Sequence, residues 1–179
     1  TSGGEDRRNV QTRRGSTLKG VITISLMVVN VVFWVPILLV VALAKLIVPL
    51  AAWRRWTSAL MIWIAQAWIS CNGAIFGLMG ALRLEVEGVA GLDPRGWYLV
   101  LSNHRSWVDI LVLQQAFNRR IPFLKFFLKQ ELIWVPFLGL AWWALDFPFM
   151  NRHSATYLQK HPQARGEDLD ATRKACERF

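Results

Sequence analysis

The sequence predicts an α/β fold: a mixed, largely parallel sheet flanked by helices, preceded by an N-terminal motif of two hydrophobic membrane helices. Two observations predict it. Residues 20–82 contain two uncharged apolar runs, at 21–44 and 56–82, and each exceeds the about 20 residues that cross a bilayer core as a helix. After residue 82, short strand-like segments alternate with helical ones, as in parallel sheets. We therefore divide the chain into a basic flexible arm (1–19), the membrane motif (20–82) and the first part of the α/β domain (83–179).

The composition favours an anionic lipid surface or a phosphate-bearing ligand as the partner. The formal net charge is +9, 54% of residues are hydrophobic, and ten are tryptophan, which favours sites with one apolar and one wet edge. The basic residues are scattered between apolar runs and form no stripe, which argues against nucleic acid. Cys71 and Cys176 form no disulfide framework, and the histidines have no zinc-type spacing with them, so we expect neither a metal nor a cofactor.

Positive charge is distributed unevenly around the two apolar runs. Basic residues lie on the arm, on the link between the runs and directly after the second run; those outside the arm are Lys45, Arg54, Arg55 and Arg83. Because basic residues tend to stay on the cytoplasmic side, two true spans would leave the link on the wrong side. This favours a hairpin that dips into one leaflet over two spans, and both remain open.

Proline and glycine residues affect the helices predicted for the two apolar runs. Pro36 interrupts the first run and predicts two half-helices or a kink. Gly73 and Gly77 in the second have the small-xxx-small spacing that lets a neighbouring helix approach closely. Plain lipid-facing sequence explains that spacing equally well.

The segments after residue 82 follow in the order expected of an α/β domain. Apolar and charged residues alternate at 82–87, a turn follows at 93–96, and a continuous apolar run at 97–103 is typical of a buried strand. Residues 107–117 are expected to form a helix, 119–129 a strand, 133–145 a helix with Pro136 early in it, 146–152 a short strand, and 167–179 a helix. Few residues follow the last strand, so we expect the sheet to be incomplete in this chain.

A histidine and an aspartate interrupt the apolar pattern where the predicted strand gives way to the helix. His104 would lie at the carboxyl end of that strand, where ligands bind in open α/β sheets. A neutral imidazole can take a proton from an attacking hydroxyl, and Asp109 can hold the other ring nitrogen. Alternatively, Ser106 and Asp109 form a capping box, and His104 is only a loop residue. The two interpretations overlap, because one carboxylate can serve both.

The segment "NHRSWVD" resembles the His-x4-Asp motif of the glycerolipid acyltransferase superfamily, which includes the 1-acylglycerol-3-phosphate acyltransferases. Downstream, "FLKQELIWVPFLGLAWWALDFPFMNR" resembles the second block of that family, with Lys129, Pro136, Gly139 and Arg152 at its characteristic positions. The sequence of these segments is similar to that of the bacterial YihG-type acyltransferases. The likeness covers residues 99–152, and the two apolar runs are also similar to the family.

The resemblance implies transfer of an acyl chain from acyl-CoA or acyl-carrier protein to a lysophospholipid, with 1-acylglycerol-3-phosphate as the preferred acceptor and no cofactor. It implies that His104 is the general base and Asp109 its orienting partner. Arg152, with Lys129 as the weaker candidate, would hold the phosphate, and Asn103 and Arg105 would flank the base. Membrane phospholipids are the expected surroundings. The expected location is the cell inner membrane, with the catalytic face towards the cytoplasm, where thioester donors are found.

The third block of the family, with a Glu-Gly-Thr-Arg-like signature, is absent from this sequence. Its absence and the incomplete sheet lead us to expect a C-terminally truncated piece of a longer protein. Two alternatives remain open. One is an acyltransferase with a different acceptor, and the other is a non-catalytic, membrane-anchored domain that binds lipid.

Overall fold

A computed structural model describes residues 2–80, 84–150, 173, 174 and 177, with side chains from residue 17 onward. The helices and strands, in chain order, are α1 (Ser2–Ile47), α2 (Ala51–Met79), α3 (Trp107–Phe117), β1 (Leu128–Lys129), a 3-10 helix (Gln130–Trp134), α4 (Leu138–Ala144) and β2 (Phe149–Met150). The chain divides into two compact units. The first is Thr1–Trp34 with Trp63–Leu124, and the second is Val35–Ile62 with Lys125–Phe179.

The two predicted membrane helices are present as α1 and α2. The segments Thr17–Ile47 and Ala51–Met79, of 31 and 29 residues, are long and apolar enough to cross a membrane by length and composition. Three residues separate the helices, and Pro49 among them follows the end of α1 by two positions, where a proline blocks continuation of a helix. Arg54 and Arg55, expected on the link, lie in the first turns of α2.

Two expectations for the N-terminal part concern α1. The arm expected to be flexible is helical, because α1 begins at Ser2. It contains no proline, and extending a helix that is already nucleated costs little. Of the two outcomes expected at Pro36, the structure excludes two separate half-helices, because α1 continues through it. Neighbouring groups can satisfy the backbone positions that a proline frees inside a long apolar helix.

Buried amides join α1 and α2 within the first unit. The Nδ2 atom of Asn30 donates to Oδ1 of Asn72 at 2.9 Å and to the carbonyl oxygen of Trp68 at 3.2 Å. Asn30 and Asn72 are only 8% and 3% exposed. Polar side chains buried among apolar ones are costly unless they are bonded, so this pair favours one register of the two helices.

Large apolar side chains remain exposed along the outer face of α1. They include Val21, Ile24, Val28, Val32, Val40, Leu43 and Ile47. An apolar surface of this length is unusual for a protein in water and normal for one in contact with lipid. The two helices therefore indicate membrane association.

The second unit contains a small parallel sheet. Strand β1 pairs with β2 in parallel, with Leu128 opposite Phe149 and Lys129 opposite Met150. The 3-10 helix and α4 lie between the two strands in the chain, and Phe126 stacks on Phe147 with ring centroids 6.4 Å apart. The strands predicted at 119–129 and 146–152 are thus met only in part, by the pairing segments Leu128–Lys129 and Phe149–Met150.

The expected sheet is otherwise smaller than predicted. Residues 84–87 and 97–103 form no strand in the part of the chain that the structure describes, because no described segment lies beside them to complete a hydrogen-bond ladder. Leu101, expected to be buried, is 85% exposed. The helix predicted at 133–145 is divided at Pro136, which has no backbone N–H to donate, and at Phe137, whose φ is 62°. Most of residues 167–179 lies outside the described residues.

Candidate active site

Helix α3 starts with a complete capping box. The N-cap residue Ser106 is extended, with φ −152° and ψ 166°, and its hydroxyl accepts a hydrogen bond from the backbone N–H of Val108 at 3.2 Å. In return, Oδ2 of Asp109 accepts from the backbone N–H of Ser106 at 2.7 Å and from that of Arg105 at 2.5 Å. The predicted helix and its cap are confirmed. The carboxylate of Asp109 is therefore held in one orientation by the main chain.

The imidazole of His104 lies beside this carboxylate. Its Nδ1 atom is 3.6 Å from Oδ2 of Asp109, the oxygen that also accepts the two backbone hydrogen bonds. This distance suits an ion pair and is too long for a hydrogen bond. The side chain of His104 is 61% exposed and that of Asp109 is 33% exposed, so much of the imidazole is open to solvent.

The surroundings of Asp109 favour its ionised form. The backbone hydrogen bond from Ser106 is the largest cause that lowers its pKa below the ordinary 3.8, followed by the one from Arg105. The charges of His104 and Arg105 lower the pKa further, while partial desolvation opposes them. Asp109 is thus a carboxylate at neutral pH and would stabilise a positive imidazolium next to it.

The remaining site candidates lie in different parts of the chain. Asn103 and Arg105 flank it in the chain and are exposed, and the carbonyl oxygen of Asn103 accepts from the Ser102 hydroxyl at 3.2 Å. Lys129 is exposed on β1 in the second unit. Arg152 lies outside the described residues, so its expected role as the phosphate ligand has no structural counterpart here.

A second charged cluster, which the sequence did not predict, lies in the second unit. The Nζ atom of Lys45, at the end of α1, is 3.7 Å from Oδ2 of Asp146, which follows α4. Partial burial of Lys125 lowers its pKa, and the nearby Lys45 lowers it further, while Asp146 opposes both. One carboxylate thus faces two lysines. Lys45 and Lys125 are 101 and 21 residues from Asp146 in sequence, so no local sequence pattern could predict the cluster.

Two amide side chains that the sequence did not single out fix α3 against α2. Gln115 donates through Nε2 to the carbonyl oxygen of Ile69, and Asn118 donates through Nδ2 to the carbonyl oxygen of Gln66 at 3.3 Å and to the Ser70 hydroxyl at 3.0 Å. The only signal in the sequence is the polar end of an otherwise apolar helix, "ILVLQQAFN". The expectation that Gly73 allows a close approach is correct, but Gln115 is the group that approaches, and nothing lies within 4 Å of a Cβ placed at Gly77.

Comparison with known proteins covers the part of the chain that carries these residues. Residues 83–176, more than half of the chain, match the family model described as Acyltransferase. The chain is 35% identical over 72 residues to the 1-acyl-sn-glycerol-3-phosphate acyltransferase alpha of Mus musculus, and equally to those of Homo sapiens and Bos taurus.

These alignments cover 40% of this chain and 24% of each relative, so the matched segment spans about a quarter of the relatives' length. No solved structure matches the chain. The family model nevertheless includes His104, Asp109, the 3-10 helix and α4, which are the segments on which the resemblance in the sequence depends. This chain therefore belongs to the acyltransferase family, within the glycerolipid acyltransferase superfamily.

Proposed function

We propose that the protein is a membrane-bound O-acyltransferase that transfers a fatty acyl chain from acyl-CoA or acyl-carrier protein to a lysophospholipid, with 1-acylglycerol-3-phosphate as the acceptor and phosphatidic acid as the product. One observation carries this proposal. In a chain of the acyltransferase family, an exposed histidine lies 3.6 Å from a carboxylate that two backbone N–H groups hold in place.

The arrangement suits general-base catalysis with a nucleophile supplied by the substrate. His104 takes the proton from the acceptor hydroxyl as its oxygen attacks the thioester carbonyl carbon. The new C–O bond forms, the C–S bond breaks, and the proton passes from the imidazolium to the departing thiolate. The carboxylate of Asp109 stabilises the imidazolium and orients its ring. Because Asp109 is already fixed at the start of α3, little reorganisation is needed when the charge develops.

The proposed acceptor is supported by the substrate named for the relatives and by the net charge of the chain. The relatives with 35% identity are named for 1-acyl-sn-glycerol-3-phosphate, and the net charge of +9 favours a phosphate-bearing substrate. We assign the phosphate to Arg152, whose guanidinium can bind it through two parallel hydrogen bonds, with Lys129 as a second cation and Asn103 and Arg105 beside the base. Arg152→Ala should then raise the KM for the lysophospholipid more than the KM for the donor.

The apolar helices support the proposed location. The exposed apolar side chains of α1 favour a lipid environment, and thioester donors are found in the cytoplasm. Both support the inner membrane with the catalytic face inward. Membrane phospholipids would then surround the active site, and the acceptor would reach His104 from the bilayer.

The experiment that tests this function separates turnover from lipid binding. Membranes containing the protein receive acyl-CoA labelled in the acyl chain, with and without 1-acylglycerol-3-phosphate. We expect labelled phosphatidic acid and one free CoA thiol per product molecule, both dependent on the acceptor. A non-catalytic lipid-binding domain would bind the acceptor and release no thiol. If the acyl chain were transferred only to a different lysophospholipid, the proposed acceptor would be wrong and the proposed reaction class would stand.

A further inference from the structure

Helix α3 contacts α2 through its C-terminal end, away from the His104–Asp109 pair. Gln115 donates to the carbonyl oxygen of Ile69, and Asn118 donates to the carbonyl oxygen of Gln66 and to the Ser70 hydroxyl. We call these contacts the amide clasp. All of its members belong to the first unit.

The clasp engages one stripe of α2. Gln66, Ile69, Ser70 and Gly73 are spaced at i, i+3, i+4 and i+7, which places them on one side of a helix. A Cβ at Gly73 would overlap the side chain of Gln115, so glycine leaves the room that Gln115 occupies. A backbone carbonyl oxygen inside a helix has a second lone pair. That lone pair can accept a hydrogen bond from the clasp while the carbonyl keeps its hydrogen bond within α2.

The clasp specifies position more than it adds stability. Oδ1 of Asn118 is buried and has no hydrogen-bond partner among the described residues, so the amide is only partly satisfied. An apolar side chain at that place would avoid this cost. A directional contact of this kind fixes one placement of α3 along α2, where apolar packing alone would tolerate sliding.

A fixed placement of α3 matters for the site at its other end. Asp109 and Gln115 are six residues apart, about 9 Å along a rigid helix. The carboxylate of Asp109 in turn holds the backbone of Arg105 and Ser106, next to His104. A shift of α3 along α2 therefore moves the base by a similar distance relative to an acceptor that the bilayer holds at one depth, and a misplacement of about 1 Å can cost about a hundredfold in rate.

We infer that Gln115 and Asn118 are positioning residues that hold the His104–Asp109 pair at a set depth relative to the membrane helix α2. This inference rests on the proposed function. An acceptor embedded in a bilayer meets the base only at that depth. A short-chain lysophospholipid dissolved in water is not held at the depth of the bilayer and can move with the displaced base, so its reaction depends much less on the placement.

The test compares Gln115→Met with Gln114→Met in the membrane-bound protein. Methionine keeps the length of the side chain and removes the donor. Gln114 is the same residue type on the same helix and makes no side-chain hydrogen bond in the described part of the chain, so it is the matched control. Acyl transfer is measured with a long-chain acceptor in phosphatidylcholine vesicles and with a short-chain acceptor below its critical micelle concentration. Hydrogen exchange of the α3 amides is measured on the same samples.

For Gln115→Met we expect the kcat with the vesicle acceptor to fall by about tenfold or more, while the rate with the soluble acceptor stays within about threefold. The α3 amides should exchange faster. Gln114→Met should change neither quantity, and adding Asn118→Leu should deepen the loss only with vesicles. Equal losses with both acceptors would indicate a general structural role and overturn the inference, as would unchanged rates or unchanged exchange. If the wild type transferred no acyl chain at all, the proposed function would be wrong. The clasp would be tested separately by hydrogen exchange, and it would be rejected if the α3 amides of Gln115→Met exchanged as in the wild type.

Discussion

The Nδ1 atom of His104 lies 3.6 Å from Oδ2 of Asp109, and that same oxygen accepts the backbone hydrogen bonds of Arg105 and Ser106. The capping role and the orienting role of Asp109 are therefore compatible. The cap fixes the carboxylate, and the fixed carboxylate is placed beside the imidazole. The two roles can still be separated by substitution, because one needs only an acceptor oxygen and the other needs a charge.

Asp109→Asn should separate them. The amide oxygen of asparagine can still accept from the backbone of Ser106, so α3 should still begin there, and the Tm near neutral pH should fall only by the small amount that the charge contributes. The negative charge beside His104 is lost, and acyl transfer should fall by about a hundredfold or more. Asp109→Ala should lower both activity and Tm. Rates and thermal unfolding in detergent measure the two effects, and an active Asp109→Asn enzyme would limit Asp109 to a cap.

The stability of the protein should depend on pH through Asp109. Its folded pKa lies below the ordinary 3.8, chiefly because of the hydrogen bond from Ser106. The unfolded chain therefore binds this proton more readily, so the contribution is complete above 3.8 and is lost as the pH falls through the lowered folded value. Tm measured from about pH 6 to about pH 2 should fall more steeply for the wild type than for Asp109→Asn. Parallel curves would contradict this.

Gly139 should be intolerant of a side chain. A Cβ there would overlap the backbone carbonyl of Ile133 in the 3-10 helix, a group that cannot move aside cheaply. We expect Gly139→Ala to reduce the free energy of unfolding by roughly 1–3 kcal/mol. Gly77→Ala is the control, since nothing lies within 4 Å of its Cβ, and it should be neutral or stabilising by about 1 kcal/mol. Equal effects at both positions would show that the close approach at Gly139 is relieved without cost.

Patterns confined to a few neighbouring residues predicted the structure well. The start of α3 could be predicted from Ser106 and Asp109, because a capping box involves two residues that are three positions apart. The apolar helices could be read from the absence of charge over more than 20 residues. The close pairing of His104 with Asp109 followed from the same short motif, and the family match supports the segment that contains it.

Features that depend on distant residues could not be predicted in this way. The run at 97–103 has the composition of a strand, yet a strand needs a neighbour, and Trp97, Leu99 and Leu101 are exposed. The contact of Gln115 with Ile69 joins residues 46 apart, and the pairing of Asn30 with Asn72 joins residues 42 apart. Hydrophobic periodicity assigns such amides to a helix but does not identify their partners.

Membrane topology remains a prediction that labelling can test. Single cysteines at positions 10, 50 and 95, in a background without Cys71 and Cys176, report the arm, the link between α1 and α2, and the α/β domain. The hairpin predicts that all three resist a membrane-impermeant thiol reagent added outside spheroplasts and react after lysis. Labelling of position 50 alone from outside would establish two true spans.

The His104→Ala substitution tests the central claim most directly. Acyl transfer from labelled acyl-CoA to 1-acylglycerol-3-phosphate is measured for wild type and variant at equal amounts of membrane-bound protein, together with binding of the acceptor. The account predicts that the variant stays in the membrane and binds the acceptor, while its kcat falls by at least about a hundredfold, the usual lower scale of general-base catalysis. A rate near that of the wild type would contradict the account, because the transfer would then proceed without His104.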